Sequence, residues 1–318
     1  MTPPVDAMAA STPRPSAGLA PRVSVIVPVK DDPGVHAVVA SLRRAPEDAV
    51  EILVADDGDP GRLAPVSGAR VVPVHGHNPG AARNAAVRVA RAPILLFTDA
   101  DVVVPPRWIE DALAAFADPR VEAVQGDSRA VGSGDLARAV DREWARFLES
   151  HAETERADLC DTRCFGIRRA TFERFSFDPE DRFCEDAALG RRMYEAGVPI
   201  RFLPDWYVGH RLRGTVAEEL FRFRRYAAAA ERHLRRTGRD LFRAPGGPDP
   251  RGAGASLLGV ARRHRLPDNA TGTALWWGAL ALSRMPRRFD AARRLAVLSA
   301  RIAPDLVLSA LHEVVSEA

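Results

Sequence analysis

Two aspartates one residue apart, Asp99-Ala-Asp101, follow the apolar run Ile94-Leu-Leu-Phe97. Alternate side chains of an extended segment point to the same side, so both carboxylates can converge on one cation. Carboxylate oxygens with water and phosphate suit a hard ion, Mg2+ or Mn2+. Asp56-Asp57 closes a second apolar run, Val50-Glu-Ile-Leu-Val-Ala55, and Glu185-Asp186 stands before a helical stretch. Taken alone, the first pair reads equally well as turn residues and helix caps, and the second as acids favoured by a helix N-terminus. His210 is a candidate metal ligand or a partly buried histidine at a strand end. Cys160, Cys164 and Cys184 have no Cys-x-x-Cys spacing, so they imply reduced thiols and no zinc site.

The elements that must position these groups alternate along the chain. Short apolar runs at 23–28, 50–55, 70–74 and 94–97 read as strands, with helical stretches at 35–44 and 81–90 between them. Such alternation predicts an α/β domain with a mostly parallel central sheet flanked by helices. Ligands of such sheets bind beyond the carboxyl ends of the strands, where the acids fall. Further on, strands are expected at 121–124, 164–168 and 200–203, and helices at 108–117, 136–155, 187–196 and 217–236. Residues 1–21, with five prolines, predict a disordered leader. Residues 22–240 are expected to form the catalytic domain, and 241–318 a Gly/Pro linker with a C-terminal helical extension.

Composition bounds the function. The 318 residues are 46% hydrophobic and 27% charged, which excludes a disordered or collagen-like chain. The formal net charge is +3, so no nucleic-acid partner is implied. Of the 45 basic residues only Lys30 is lysine, a bias read as genome composition. No window reaches the length of a spanning apolar helix and 1–21 is no signal peptide. The expected location is cytoplasmic, with peripheral contact at the cytoplasmic membrane face left open. The arginines at 222, 224, 225, 232, 235 and 236 read as a solvated helix face, and Leu275-Trp276-Trp277 as core.

Two acid-bearing α/β designs fail. A phospho-receiver needs a lysine after its phosphoacceptor, and none follows Lys30. A dinucleotide-binding domain needs Gly-x-Gly-x-x-Gly after a strand, and Asn78-Pro-Gly-Ala-Ala-Arg-Asn84 has one glycine. Five blocks, in order, do resemble the family-2 glycosyltransferases of the GT-A fold. They are Val23-Ser-Val-Ile-Val-Pro28, Glu51-Ile-Leu-Val-Ala-Asp-Asp57-Gly58, Asn78 to Asn84, Phe97-Thr-Asp99-Ala-Asp101, and Phe183-Cys-Glu185-Asp186 running to Gly197, with Pro204 and His210 downstream. The resemblance covers about two thirds of the chain, residues 23–226.

It implies an inverting, metal-dependent transfer of one sugar from a nucleotide-sugar, expected to be UDP-linked, to a hydroxyl acceptor. The acceptor class stays open among glycans, lipid-linked sugars and small molecules. Pro28, Asp32, Asp57, Arg83, Asp99 and Asp101 would line the donor site, with Asp57 accepting from the uracil ring and Asp99 meeting the ribose. Asp101 and His210 would hold Mg2+ or Mn2+, Asp186 would be the catalytic base and Glu185 would lie on the acceptor side. Lys30-Asp31 stands where the family often has Tyr-Asn. The Gln-x-x-Arg-Trp block of processive members is missing, Gln125 being the only glutamine. The rivals are a catalytically degenerate nucleotide-sugar-binding module and a sugar nucleotidyltransferase. The latter needs a basic Gly-rich loop where Asp31-Asp32-Pro33-Gly34 has the wrong charge.

Overall fold

A computed structural model describes residues 20–45, 50–74, 78–132, 156–157, 160–212, 215–239, 241, 268–283 and 289–303. Its centre is one sheet. Strands β1 (Val23–Val29), β2 (Val50–Asp56), β3 (Arg70–Pro73) and β4 (Ile94–Phe97) pair in parallel in the order β3-β2-β1-β4. β1 and β4 are apolar because helices cover both faces, and every residue of the two strands is buried except Pro28, half-buried at the cavity end of β1. The one polar residue in the β1 core, Ser24, donates to Glu51 at 2.7 Å and accepts from the Ala92 N–H. Its hydrogen-bonding capacity is therefore met inside the protein.

The other half of the sheet is mixed. It comprises β5 (Val102–Val103), β6 (Ala123–Val131), β7 (Arg156–Ala157), β8 (Phe165–Arg168) and β9 (Ile200–Arg211). β8 runs antiparallel to both β4 and β6, β6 and β9 are parallel, and β5 and β7 lie antiparallel on β9. The parallel order expected from the sequence thus holds for the first four strands. A short apolar run carries no sign of strand direction.

Helices α1 (Val35–Leu42) and α3 (Trp108–Ala115) contribute to the core on one face of the sheet. Helices α2 (Pro79–Val89), α4 (Arg169–Phe175) and α5 (Glu185–Glu195) contribute to the core on the other. The long α6 (Val216–Thr237) opens with a capping box between Thr215 and Glu218 and ends at Gly238, whose φ is 73°. It packs with α7 (Asp268–Ser283) and α8 (Phe289–Ile302) around the buried Trp276, Ala279, Ala292 and Ala296.

Three departures from the sequence reading matter. β9 does not stop at Leu203 but continues through Pro204 to Arg211. Its register with β6 shifts between Gln125 and Asp127, and Pro204 sits in that irregular stretch, where a proline is tolerated. The extension delivers His210 to the site. Of the six α6 arginines expected on a solvated face, Arg225, Arg232, Arg235 and Arg236 are exposed and Arg222 is half-buried, but Arg224 is wholly buried, donating to the Ser299 hydroxyl and to the Ala303 carbonyl at the end of α8. The favourable carbonyl end of a helix supports that cation. Of the tryptophan pair, Trp276 is core and Trp277 is exposed. The helix expected at 136–155, the linker at 244–254 and most of the leader lie outside the described residues.

Candidate functional site

The carboxyl ends of β1, β2 and β4 form one wall of a cavity of about 490 Å³. Pro28, Lys30, Asp32, Asp57, Asp99 and Asp101 line it, which brings together all the carboxylates expected on the donor side. Asp32 accepts from the Gly34 N–H at 2.8 Å, fixing the turn after β1. Asp57 is buried and accepts from the Asn78 N–H at 2.8 Å. Asn78 in turn caps α2, its side-chain oxygen accepting from the N–H groups of Gly80 and Ala81. Pro79 at the first helical position suits a start that needs no N–H.

Asp101 and His210 come together because β5 lies antiparallel on β9, with Val102 opposite His210. The His210 Nε2 is 3.5 Å from an Asp101 carboxylate oxygen, and its Nδ1 is 3.1 Å from Arg163. Burial works against the charge of Asp101. The hydrogen bond and charge of His210, and the charge of Arg163, outweigh it and hold the carboxyl below its usual range. Arg163 is itself gripped by Asp161. The stretch Cys160 to Arg169 resembles the family's acceptor-side segment, but the sequence assigned no role to Asp161 or Arg163. These residues act only after a 3-10 turn at Thr162–Cys164 brings them against β9.

Arg83 does not reach a ligand unencumbered. It is buried, and donates at 2.8 Å to Asp99 on one side and at 2.8 Å to Glu185 on the other. Glu185, expected on the acceptor side, is the largely buried far end of this strut and lines the cavity that also holds Asp186. The block from Asn78 to Asn84 is an anchor plate for the loop ahead of α5. Asn78 donates to the Pro179 carbonyl, and Asn84 exchanges two hydrogen bonds with the backbone of Phe177. Gly80 leaves room for the approach: a Cβ there would stand 3.1 Å from both Glu185 and Phe177 side chains.

Asp186 opens α5 beside that strut. Burial, then the charges of Glu185 and Asp161, push its carboxyl up to about 7, against Arg83 and the Ala187 N–H. Asp186 lines a second cavity of about 640 Å³, together with Cys160, Asp161, Tyr226 and Arg293. The two cavities share Pro79, Arg83, Asp99, Asp101 and Phe183. Asp101 and His210 are the acid and imidazole donors that meet where the cavities join. No group of three such ligands exists among the described residues. One oxygen and one nitrogen donor fit a divalent ion that takes its other ligands from diphosphate and water, Mn2+ more readily than Mg2+.

Comparisons with known proteins bear on the family and the fold. The model for glycosyl transferase family 2 matches residues 24–175. A pre-mycofactocin glycosyltransferase of Mycobacterium tuberculosis is 28% identical over 252 residues, covering 71% of this chain and 51% of its own length. An N-acetylglucosaminyltransferase of Sinorhizobium fredii is 28% identical, covering 64% of this chain and 55% of its own. The chain thus spans about half the length of these relatives. A mannosyltransferase from Pyrobaculum calidifontis, solved with GDP-Man and Mn2+, superposes with a TM-score of 0.58 at 19% identity, over 90% of this chain and 89% of that one. Glucosyl-3-phosphoglycerate synthase from Mycobacterium tuberculosis, solved with Mn2+ and UDP, gives 0.50 at 20% identity over 72% and 82%. At those identities the likeness is one of fold. Among the described residues no helix is long and apolar enough to cross a membrane.

Proposed function

We propose that this chain is a glycosyltransferase of family 2 on its GT-A fold, and that it moves one sugar from a nucleoside diphosphate donor to an acceptor hydroxyl, inverting the anomeric carbon. The observation that carries this reading is the junction of the two cavities. One holds the carboxylates suited to a nucleotide, the other holds a carboxylate with its proton affinity raised, and Asp99 and Asp101 line both.

In this reading Asp57 accepts from a ring N–H of the base. Uracil and guanine offer one and cytosine does not, which favours a UDP-linked donor over a CDP-linked one. Asp99, held by Arg83, meets the ribose. Asp101 and His210 would hold Mg2+ or Mn2+, which when bound supplies positive charge against the diphosphate. The acceptor hydroxyl attacks the anomeric carbon as the bond from that carbon to the phosphate oxygen breaks. Asp186 takes the hydroxyl proton, and the diphosphate leaves with the bonding electrons. A base near neutral pKa suits that task, and one base with a single displacement gives inversion. Arg83 holds Asp99 and Glu185 in register, so both reactants meet one rigid frame.

Residues 22–240 form the catalytic unit in this reading and 241–318 its helical extension. The presence of Arg293 in the cavity wall supports an extension that takes part in acceptor binding. The test is calorimetry of the full chain with UDP, GDP and CDP in Mn2+, followed by donor hydrolysis with the matching nucleotide-sugars. UDP or GDP should bind at least about tenfold more tightly than CDP, because an unmet buried acceptor is costly. Equal affinities would remove Asp57 from base recognition. Binding without turnover of any nucleotide-sugar would leave a donor-binding module instead.

A further inference from the structure

Phe183 sits where the two cavities meet, in an unusual state for a bulky residue. Its φ is 70°, in the left-handed region that large side chains rarely adopt. The residue is 37% exposed and lines both cavities. Two anchors on either side sustain this conformation. Two residues before it, the buried Asp181 accepts from His233 at 2.7 Å and from Arg236 at 2.5 Å, both on α6. Two residues after it, Glu185 is held by Arg83 of α2. Strain retained in this way concentrates at working sites.

Over the ring lies Arg225 of α6, its guanidinium carbon 4.0 Å from the centroid. Arg222, Arg235 and Arg236 of the same helix each face a carboxylate. Arg225 instead lies against the rings of Phe183 and Phe221. It lines the donor cavity, where Asp32, Asp57, Asp99 and Asp101 stand against Lys30, Arg83 and Arg225. Arg83 is already neutralised by two carboxylates. A nucleoside diphosphate adds further negative charge to an acidic cavity, so it needs a cation to meet it. A guanidinium stacked on an aromatic face keeps its edge N–H groups aimed outward, in the fork that fits phosphate oxygens.

We infer that Arg225 is the chain's own cation for the donor's diphosphate, and that Phe183 is the positioning residue that presents it. The inference rests on the nucleotide-sugar reading above and assigns the leaving-group end of that site. The Asp181 anchor gives the pair its rigidity, since it ties the loop of Phe183 to the helix of Arg225.

Titration of the full chain with UDP, UMP, GDP and GMP in Mn2+ tests it. Arg225→Gln should weaken the diphosphate that binds by about ten- to hundredfold, the size of a charge-assisted contact, and weaken the matching monophosphate much less. Arg225→Lys should recover part of the loss. Phe183→Leu, which keeps an apolar side chain but removes the ring, should lower the diphosphate preference in the same direction by a smaller factor. An Arg225→Gln variant with unchanged diphosphate affinity overturns the inference. So does an equal loss for both nucleotides, which marks a general disturbance. If the unaltered chain binds none of the four, the donor reading falls and this inference with it.

Discussion

The two walls of the site are built on different principles. The donor wall stands on the ends of β1, β2 and β4, which are neighbours in the parallel half of the sheet. Backbone hydrogen bonds set its spacing, and each acid follows its strand by a few residues. The acceptor wall gathers the start of α5, the turn at 160–164, one side of α6 and Arg293 of α8. Side chains that bridge about a hundred residues of sequence hold it, such as Arg83 to Glu185 and Asn78 to Pro179. A wall made by the sheet should tolerate the loss of one side chain better than a wall made by ion pairs.

Mutation of each wall should separate them. The largest effect is expected at Asp186. Asp186→Asn should lower kcat by about two to four orders of magnitude, the worth of a general base, while nucleotide affinity stays within a few-fold of the parent. Parent-like turnover would reduce Asp186 to an N-terminal helix acid. Loss of nucleotide binding would mean that the walls are not separable. Next comes the strut between them. Arg83→Met leaves Glu185 buried without its partner, and breaking a buried pair from one side costs about 3–5 kcal/mol. Urea denaturation should show a loss of that order. Arg83→Met with Glu185→Gln should recover part of it, because the uncompensated charge is gone. A loss below about 1 kcal/mol would mean that water reaches Glu185 and that the strut is dispensable.

The same contrast explains what could be read from the sequence. The donor wall was legible because Asp57, Asp99 and Asp101 each end an apolar run, and a strand end in such a sheet is a place with a known use. The family resemblance then added Asp186 and His210. The role of Arg83 was not legible. Its partners lie 16 and 102 residues away, and no local periodicity reports a salt bridge of that span. His210 was assigned to a strand end without the strand, because Pro204-Asp205 ends the apolar pattern that β9 in fact continues through. The arginines of α6 read as solvated, and most of them are exposed; what the pattern hid is that Arg224 is buried against Trp276 and that the exposed Arg225 lies over Phe183. The fold followed from patterns of about ten residues, and the acceptor wall from contacts that only the fold creates.

The smallest expected effect tests whether the acceptor wall holds an uncompensated charge. Asp186 has its carboxyl pushed up to about 7, chiefly by burial and then by Glu185 and Asp161. An unfolded chain would titrate the same group near about 4. Between those values the native state keeps a proton that the unfolded state has released, so this group's favourable share of stability is present at low pH. It is lost as pH rises through about 7. At pH 8 the ionised carboxylate is a liability that asparagine removes. Asp186→Asn should therefore melt a few degrees above the parent at pH 8, a shift of the size expected for one relieved group in a chain this long. The difference should shrink as pH falls toward about 4. In the parent, kcat/KM should fall on the acid side of about pH 7, since the free enzyme must present Asp186 without its proton. Melting scans of both proteins from pH 4 to 8 decide the matter. Equal melting temperatures at pH 8 would mean that the charge on Asp186 is as well met as those on the donor wall, and that its reactivity must come from the substrate complex.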